Sequence, residues 1–244
     1  MGWLSESLNR FRRTAEVIAD NNRYFRNLDR SKKLADYSFV VYDTELTGLN
    51  QRKDEIISIG AVRIRGMRIE LGDTFHYYVR PRNLDHTKAT LIHRITPEQL
   101  RTSPPLEDVL PLFINFIRTD LLVGHFVQID TAFLNRATRR VYNGVIANPN
   151  LDTMRMAQIY KQSSLYDPHG RVQPENGGYN LEKLSAELNL PYFEAHDALE
   201  DALQTAYLFI FLAKKLETIG IVTISDLFRA GRRIDWSSMG EGSV

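Results

Sequence analysis

Two carboxylates, Asp43 and Glu45, stand one residue apart in the segment VVYDTELTGLN, residues 40–50. They lie at the end of an apolar run that is typical of a buried strand, and just before a turn. A carboxylate near a core is costly unless a cation, a hydrogen-bond donor or water compensates for its charge. The segment alone therefore allows two interpretations: a pair of solvated acids at a strand end, or ligands of a cation.

Further acidic and imidazole side chains stand at the starts of predicted helices. Asp130 begins a helix that follows a short apolar strand, and His196 precedes a later helix that carries Asp201. Asp197 and Glu200 have the spacing of a capping box, which predicts that Asp197 is the N-cap of that helix. His196 would then lie just outside the helix and Asp201 in its first turn, so the two side chains can converge. Taken singly, Asp130 could be a plain N-cap and His196 a surface residue.

The segments that would position these side chains alternate between strand and helix periodicity. Four strands are predicted, the first three as a meander with a hairpin at Arg65–Gly66: SFVVYD, EIISIGAVRIRG, MRIELGDTFHYYVRP and DLLVGH. Helical periodicity predicts helices in PLEDVLPLFINFIRT, IDTAFLNRATRRVY, LDTMRMAQIYK, LEKLSAELN and ALEDALQTAYLFIFLAKKLETIG. A strand meander followed by alternating strands and helices predicts an α/β domain with a mixed sheet.

Three segments lie outside the regular part of this pattern. Residues 1–36 are predicted to form a basic amphipathic helix, which could pack on the main domain or dock a partner chain or nucleic acid. The main domain is predicted over residues 37–217, with a C-terminal extension at residues 218–244. Residues 162–179 are polar and rich in glycine and proline, which indicates a long surface loop, either a lid or a mobile connection.

The composition of the 244-residue chain is that of a soluble globular protein, with 43% hydrophobic and 25% charged residues. No stretch approaches the ~18 apolar residues of a membrane helix. Charges interrupt the N-terminal segment where a signal peptide needs an apolar core, so we expect a cytoplasmic protein that does not contact the membrane. The chain has no cysteine, which excludes disulfides and thiolate metal sites. Because the net charge is +1, any affinity for nucleic acid must come from local patches.

In combination and in this order, the acidic and imidazole residues resemble the DEDDh 3′–5′ exonuclease family. This group includes the proofreading subunits of bacterial replicative polymerases. Its pattern is Asp-x-Glu at the end of a first strand, a later Asp, and His-x4-Asp before a late helix. The resemblance covers about residues 37–215 and extends through the flanking segments TGL, IISIGAV, IHRITPEQL, LDTMRMA and NLEKL. It implies a ribonuclease H-like fold, a mixed β-sheet flanked by helices, with an added N-terminal helix.

The resemblance also implies roles for individual residues. Two divalent cations, Mg²⁺ or Mn²⁺, would be held by four carboxylates, since hard cations prefer oxygen ligands. These carboxylates are Asp43, Glu45, Asp130 and Asp201. Two such ions can stabilise the attacking and leaving oxygens of an in-line displacement. His196 would be the general base that takes a proton from the attacking water, and the products would be nucleoside 5′-monophosphates released from a 3′ end.

The same resemblance implies where the terminal nucleotide would lie. Thr44, Thr47 and Leu49, beside the metal ligands, would meet its sugar and base. His93, in the segment IHRIT, matches a family histidine that reaches the same pocket. Leu49 could equally be a buried turn residue, so two interpretations of this side chain are open.

Three positions depart from the family pattern. The family usually has Thr where this chain has Leu46, and its middle motif usually has Asn and Phe where this chain has Phe126 and Ile129. We expect Ile129 to pack as an apolar replacement, whereas Phe126 removes a polar amide near the site. His125 fits the middle motif and is expected to be structural. Because no ligand or base is lost, activity is expected.

Three functional interpretations are open. The first is a metal-dependent 3′–5′ exonuclease acting on the single-stranded 3′ end of DNA, alone or with a DNA polymerase or another replication or repair protein. The second is an RNA-trimming exonuclease of the same family, since no motif reveals contacts to the 2′-hydroxyl. The third is an interaction module that retains the fold and docks a partner through its N-terminal helix and residues 218–244. The intact ligand positions favour an enzyme over such a module.

Overall fold

The computed structural model describes residues 16–83, 95–163, 178–194 and 196–231. In chain order its elements are α1 (16–26), β1 (Ser38–Leu46), β2 (Ile56–Arg65), β3 (Arg68–Tyr78), α2 (Pro97–Thr102), α3 (Leu106–Ile117), β4 (Leu121–Gly124), α4 (Gln128–Tyr142), β5 (Asn150–Asp152), α5 (Thr153–Gln162), α6 (Leu181–Glu187), α7 (Ala198–Glu217) and α8 (Ile224–Gly231). His93 and most of the predicted loop 162–179 lie outside the described residues. Within the described ranges, no helix combines the length and apolar character needed to cross a bilayer.

The five strands form one mixed sheet in the order β3-β2-β1-β4-β5. β1, β2 and β3 pair as antiparallel neighbours, whereas β4 pairs parallel to β1 and β5 parallel to β4. The predicted meander and the mixed sheet are therefore confirmed. Because β1, β4 and β5 run in the same direction, their carboxyl ends meet at one edge of the sheet. β1 is the central strand, so its last residues lie in the middle of that edge.

Both faces of the central strand are buried. Phe39 and Val41 pack on one face in a core that α7 covers, and Val40 and Tyr42 pack on the other face in a core that α3 and α4 cover. Burial on both faces explains why β1 reads as a continuous apolar run without alternation. Leu46, one of the departures from the family pattern, is buried in the second core.

Some predicted elements were placed wrongly or missed. A helix was predicted from Leu151, but Asn150–Asp152 form the fifth strand, and α5 begins after them. Three residues are too few to show strand periodicity, so the helical pattern that follows concealed the strand. The hairpin turn is at Gly66–Met67, one residue later than predicted, and both residues have positive φ, as a type I′ turn requires. Helices α2 and α8 were not predicted.

The N-terminal segment packs on the domain. Ile18 and Phe25 of α1, together with Leu34, are buried in the two cores. The Leu34 amide donates to the Val222 carbonyl at 2.8 Å, and Leu227 of α8 belongs to the same core as Leu34. Removing this segment would therefore expose core side chains. The predicted limits of a separate N-terminal domain, residues 1–36, stay a prediction.

Gly60 allows α7 to approach the sheet closely. Gly60 is the β2 partner of Asp43 in the β1–β2 register. A Cβ added to Gly60 would lie 2.1 Å from the carbonyl carbon of Ala198 and 2.2 Å from the amide nitrogen of Leu199, in the first turn of α7. A glycine inside a strand often marks such a close backbone approach. This approach brings the first turn of α7, which carries Asp201, to the end of β1.

We predict that Gly60→Ala destabilises the protein by roughly 1–3 kcal/mol, the usual cost of overpacking. The added methyl group would push the start of α7 away from β2. Gly72→Ala is the matched control, because nothing lies within 4 Å of the Cβ that it would add to β3. Urea unfolding followed by circular dichroism measures both changes. Equal stability of the two variants would contradict a requirement for glycine at this position.

Candidate active site

Three carboxylates converge at the carboxyl end of β1. Asp43 and Glu45 are separated by one residue on the same strand, so their side chains share a face of the sheet. Asp201 joins them from the first turn of α7. One carboxylate oxygen from each of the three lies within 4.8 Å of the other two. The structure thus brings together three of the four predicted metal ligands.

The fourth predicted ligand, Asp130, is held beside this cluster. It lies in the first turn of α4 with 6% of its surface exposed. Its Oδ1 accepts hydrogen bonds from the Thr44 hydroxyl at 2.5 Å and from the Thr44 amide at 3.1 Å. Asp130 is therefore not an N-cap, since Val127 occupies that position. Thr44 ties α4 to β1 between Asp43 and Glu45.

Burial raises the pKa values of all four acids, and neighbouring carboxylates add to the shifts. Burial, with Asp130 and Asp201 nearby, holds the pKa of Asp43 well above its usual range. Burial and the neighbouring aspartates raise the pKa of Glu45 to about 7. Burial likewise raises the pKa values of Asp130 and Asp201 to about 6, although hydrogen bonds oppose the shift at both. A cluster of oxygen donors that carries this repulsion fits a hard divalent cation.

His196 lies at the rim of the cluster, just outside α7 as predicted. Its backbone amide donates to Asp201 Oδ2 at 3.0 Å, its φ is +70°, and its side chain is exposed. Asp197 is the N-cap, as predicted, because its Oδ1 accepts from the Leu199 and Glu200 amides. Glu200 does not complete a capping box, since its carboxylate accepts from another backbone amide upstream.

A closed turn joins β1 to β2 and carries Leu49. The Thr47 amide donates to the Glu55 carbonyl at 2.9 Å, and the Thr47 hydroxyl donates to Asp54 Oδ1 at 3.2 Å. The Arg136 guanidinium of α4 donates to two carbonyl oxygens of the turn. Leu49 is 65% exposed. The interpretation of Leu49 as a buried turn residue is therefore wrong.

Hydrogen bonds from His125 and from a backbone amide hold the middle motif, residues 125–130, in place. The His125 Nε2 donates to the Tyr179 carbonyl at 2.6 Å, and burial lowers the pKa of His125 to about 4, which agrees with a structural role. The Phe126 amide donates to Asp152 Oδ1 at 3.1 Å. Phe126 and Ile129 are 42% and 39% exposed. The expectation that Ile129 packs is wrong, because the first turn of α4 presents it to solvent.

Several residues that position the site were missed in the sequence. Gly60 carried a signal, since a glycine inside a strand indicates close backbone approach. Asp152 also carried one, because an aspartate before a helical pattern indicates an N-cap. The sequence gives no signal for the hydrogen bonds of Arg136 or for the Thr44–Asp130 contact, since each joins segments more than 80 residues apart.

Comparisons with known proteins point to nucleases. A family model described as Exonuclease matches residues 40–209. The DNA polymerase III subunit epsilon of Aquifex aeolicus is 31% identical over 191 residues, which are 78% of this chain and 88% of that protein. The DNA polymerase III PolC-type of Thermotoga maritima is 31% identical over 226 residues, which are 92% of this chain. The chain spans 15% of the length of that PolC-type relative.

Solved structures share the fold. E. coli Exonuclease I in complex with a dT13 oligonucleotide has a TM-score of 0.63 at 19% identity, over 75% of this chain and 42% of that chain. Exonuclease X in complex with 5′ overhanging duplex DNA has a TM-score of 0.55 at 24% identity, over 79% of this chain and 99% of that chain. The predicted ribonuclease H-like sheet flanked by helices is thereby confirmed.

The raised pKa values predict how the stability of the metal-free protein changes with pH. Between about pH 4 and pH 7 the folded protein binds more protons at Glu45 and Asp201 than the unfolded chain does. The contribution of these acids to stability therefore falls as the pH rises through this window. Asp201→Asn removes one of the repelling charges. In EDTA at pH 7.5 it should raise Tm by about 2–4 °C, the shift that ~1 kcal/mol gives at this size.

Thermal unfolding between pH 5 and pH 7.5 tests this prediction. The Tm of the parent should fall more steeply with rising pH than that of Asp201→Asn. Asp226→Asn is the control, because hydrogen bonds from Thr223 lower the pKa of Asp226, and its neutralisation should not raise Tm. An Asp201→Asn protein with a lower Tm than the parent at pH 7.5 would contradict repulsion within the cluster.

Proposed function

The chain belongs to the Exonuclease family, and on this premise we propose that it is a metal-dependent 3′–5′ exonuclease that removes nucleotides from DNA. The observation that carries the proposal is the convergence of Asp43, Glu45 and Asp201 at the carboxyl end of the central strand. The similarity to DNA polymerase III subunit epsilon supports DNA as the substrate. The proposed products are nucleoside 5′-monophosphates released from a single-stranded 3′ end.

Two divalent cations, Mg²⁺ or Mn²⁺, are part of the proposal. Asp43, Glu45 and Asp201 would hold them, with Asp130 as the fourth carboxylate. When bound, such ions neutralise the cluster and stabilise the charge that develops on a phosphate during in-line displacement. Thr44 contributes by keeping Asp130 in place with two hydrogen bonds, so that this ligand does not swing into solvent.

We assign the general base to His196. Its backbone amide holds Asp201, so His196 lies beside the carboxylate cluster with its side chain exposed to water. Histidine is the side chain that most often serves as a general base in catalysis. It would take the proton of a water whose oxygen attacks the terminal phosphorus. The bond to the 3′ oxygen of the preceding nucleotide breaks, and that oxygen keeps the electron pair and is protonated by solvent.

The turn between β1 and β2 supplies the proposed contacts to the terminal nucleotide. Leu49 is an exposed apolar side chain of this turn and would pack on the base, with Thr47 beside the sugar. Thr44 is kept in the proposal as a neighbour of the nucleotide, although its hydroxyl is bound to Asp130. His93 lies outside the described residues, and its contact with the nucleotide stays a prediction.

The names of the relatives support a partner. One relative is named as the epsilon subunit of DNA polymerase III, and the PolC-type relatives are named as DNA polymerase III. We propose that this chain acts with a DNA polymerase or with another replication or repair protein, and that it does so in the cytoplasm.

Digestion of 3′-labelled nucleic acid tests the proposed function. Single-stranded DNA, duplex DNA with a 5′ overhang, and RNA would be incubated side by side with Mg²⁺ or Mn²⁺. We expect labelled 5′-mononucleotides from single-stranded DNA, loss of activity in EDTA, and no activity in Asp43→Asn. Faster release from RNA would support the RNA-trimming alternative. No release from any substrate would contradict the proposal and favour an interaction module.

The assignment of His196 predicts a specific loss of rate. His196→Ala should lower kcat on single-stranded DNA on the order of 10²- to 10⁴-fold, the usual contribution of one proton-transfer group. The acid limb of the pH–rate profile should change with it. Addition of Mn²⁺ should still raise the Tm of His196→Ala, because the carboxylates remain, whereas in Asp43→Asn it should not. A variant that retains more than half of the parent rate would exclude His196 as the base.

A further inference from the structure

A cationic groove lies beside the turn that joins β1 to β2. It has a volume of about 370 Å³ and runs between that turn, the segment after β3, and α4. Its lining includes five cationic side chains and one carboxylate: Arg52, Lys53, Arg82, Arg136, Arg140 and Glu55. The whole chain has a net charge of +1, so the groove is a local concentration of positive charge. Such a patch favours a polyanion as its ligand.

Some of these cations are engaged in holding the groove together. Arg140 is paired with Glu107, and the Arg82 guanidinium lies 3.5 Å from the same carboxylate. Arg136 donates to backbone carbonyls of the turn. In contrast, Arg52 and Lys53 are exposed and form no ion pair with a residue in the described ranges. These two side chains are therefore available to a ligand that enters the groove.

The groove shares helix α4 with the carboxylate cluster, since both Asp130 and groove-lining arginines lie on it. Arg136 and Arg140 follow Asp130 on this helix, and a rise of 1.5 Å per residue places them about 9 Å and about 15 Å along the axis. On the other wall, Arg52 and Lys53 follow Leu49 in the turn. These distances along α4 are several times the ~3.4 Å per nucleotide of a stacked strand, so a ligand that reaches from the cluster into the groove must be longer than a dinucleotide.

We propose that this groove binds the backbone phosphates of the nucleotides that precede the 3′ end, with Arg52 and Lys53 as direct contacts. The inference rests on the proposed function, because it takes the carboxylate cluster as the position of the terminal phosphodiester. Contacts from arginine and lysine to phosphates hold a strand in register without reading its sequence. The groove would thus retain the strand in the same way whatever its sequence.

Removal of the two exposed charges tests the groove by binding. The double variant Arg52→Gln/Lys53→Gln would be compared with the parent and with Lys214→Gln/Lys215→Gln in the last turn of α7. Both variants remove two charges, but Lys214 and Lys215 lie ~20 Å along α7 from Asp201. Anisotropy of fluorescein-labelled oligothymidylate, measured in EDTA to prevent hydrolysis, gives affinity at roughly 50–200 mM salt.

The groove variant should bind about tenfold more weakly at the lowest salt. Its plot of log affinity against log salt should be flatter by ~0.7 for each phosphate of the single strand that the variant no longer neutralises. The α7 variant should match the parent, and Arg52→Lys/Lys53→Arg, which keeps both charges, should retain most of the affinity. Affinity and salt slope in the groove variant equal to those of the parent would overturn the proposal.

Hydrolysis separates this proposal from the proposed function. In the groove variant, KM for an oligonucleotide of ~15 residues should rise more than KM for a dinucleotide, because the dinucleotide does not fill the groove. A parent protein that releases no nucleotide would refute the exonuclease, while the binding series would still test the groove. If the parent is active, the ratio of KM for the long oligonucleotide to KM for the dinucleotide can be compared between the parent and the groove variant. Equal ratios would refute the groove proposal alone.

Discussion

Repulsion among partly buried carboxylates is the constraint that the elements around β1 have to satisfy. Asp43 and Glu45 share one face of the strand, and α7 brings Asp201 within 4.8 Å of both. Burial raises the pKa values of these acids, so the apolar cores on both faces of the sheet must supply the stability that the cluster removes. The site is therefore stable as a cluster because it is built into the central strand, whose two faces pack in both cores.

Three interactions hold the acids at these positions. Gly60 lets the backbone of α7 approach β2, which determines where Asp201 lies. Thr44 binds Asp130 and so places the start of α4 against β1. The amide of His196 binds Asp201 and so fixes this carboxylate at the start of α7. The scaffold thus sets the separation of the charges before a cation or substrate is bound.

The acids were predictable from the sequence because their order along the chain resembles that of the DEDDh 3′–5′ exonuclease family, although each acid taken singly also allowed a plain structural role. Asp43 and Glu45 end an apolar strand, and Asp201 follows an N-cap at the expected distance, so the order of motifs indicated the site and the mixed sheet. The parts that were missed have weak local signals. The strand Asn150–Asp152 is too short to show a period, and exposure of Ile129 depends on how α4 meets the sheet. Such features are decided by packing between distant segments, which periodicity does not report.

Helix α4 links the two ends of the proposed substrate path. Its first turn carries Asp130 at the carboxylate cluster, and the guanidinium of Arg136, about 9 Å further along, holds the turn that carries Leu49. A shift of α4 would therefore move a proposed metal ligand and the proposed nucleotide contact together. Because the Arg136 hydrogen bonds are to backbone carbonyls, they do not depend on the side chains of the turn. A change of side chain at Leu49 would therefore leave these hydrogen bonds, and with them the position of the turn relative to α4, in place.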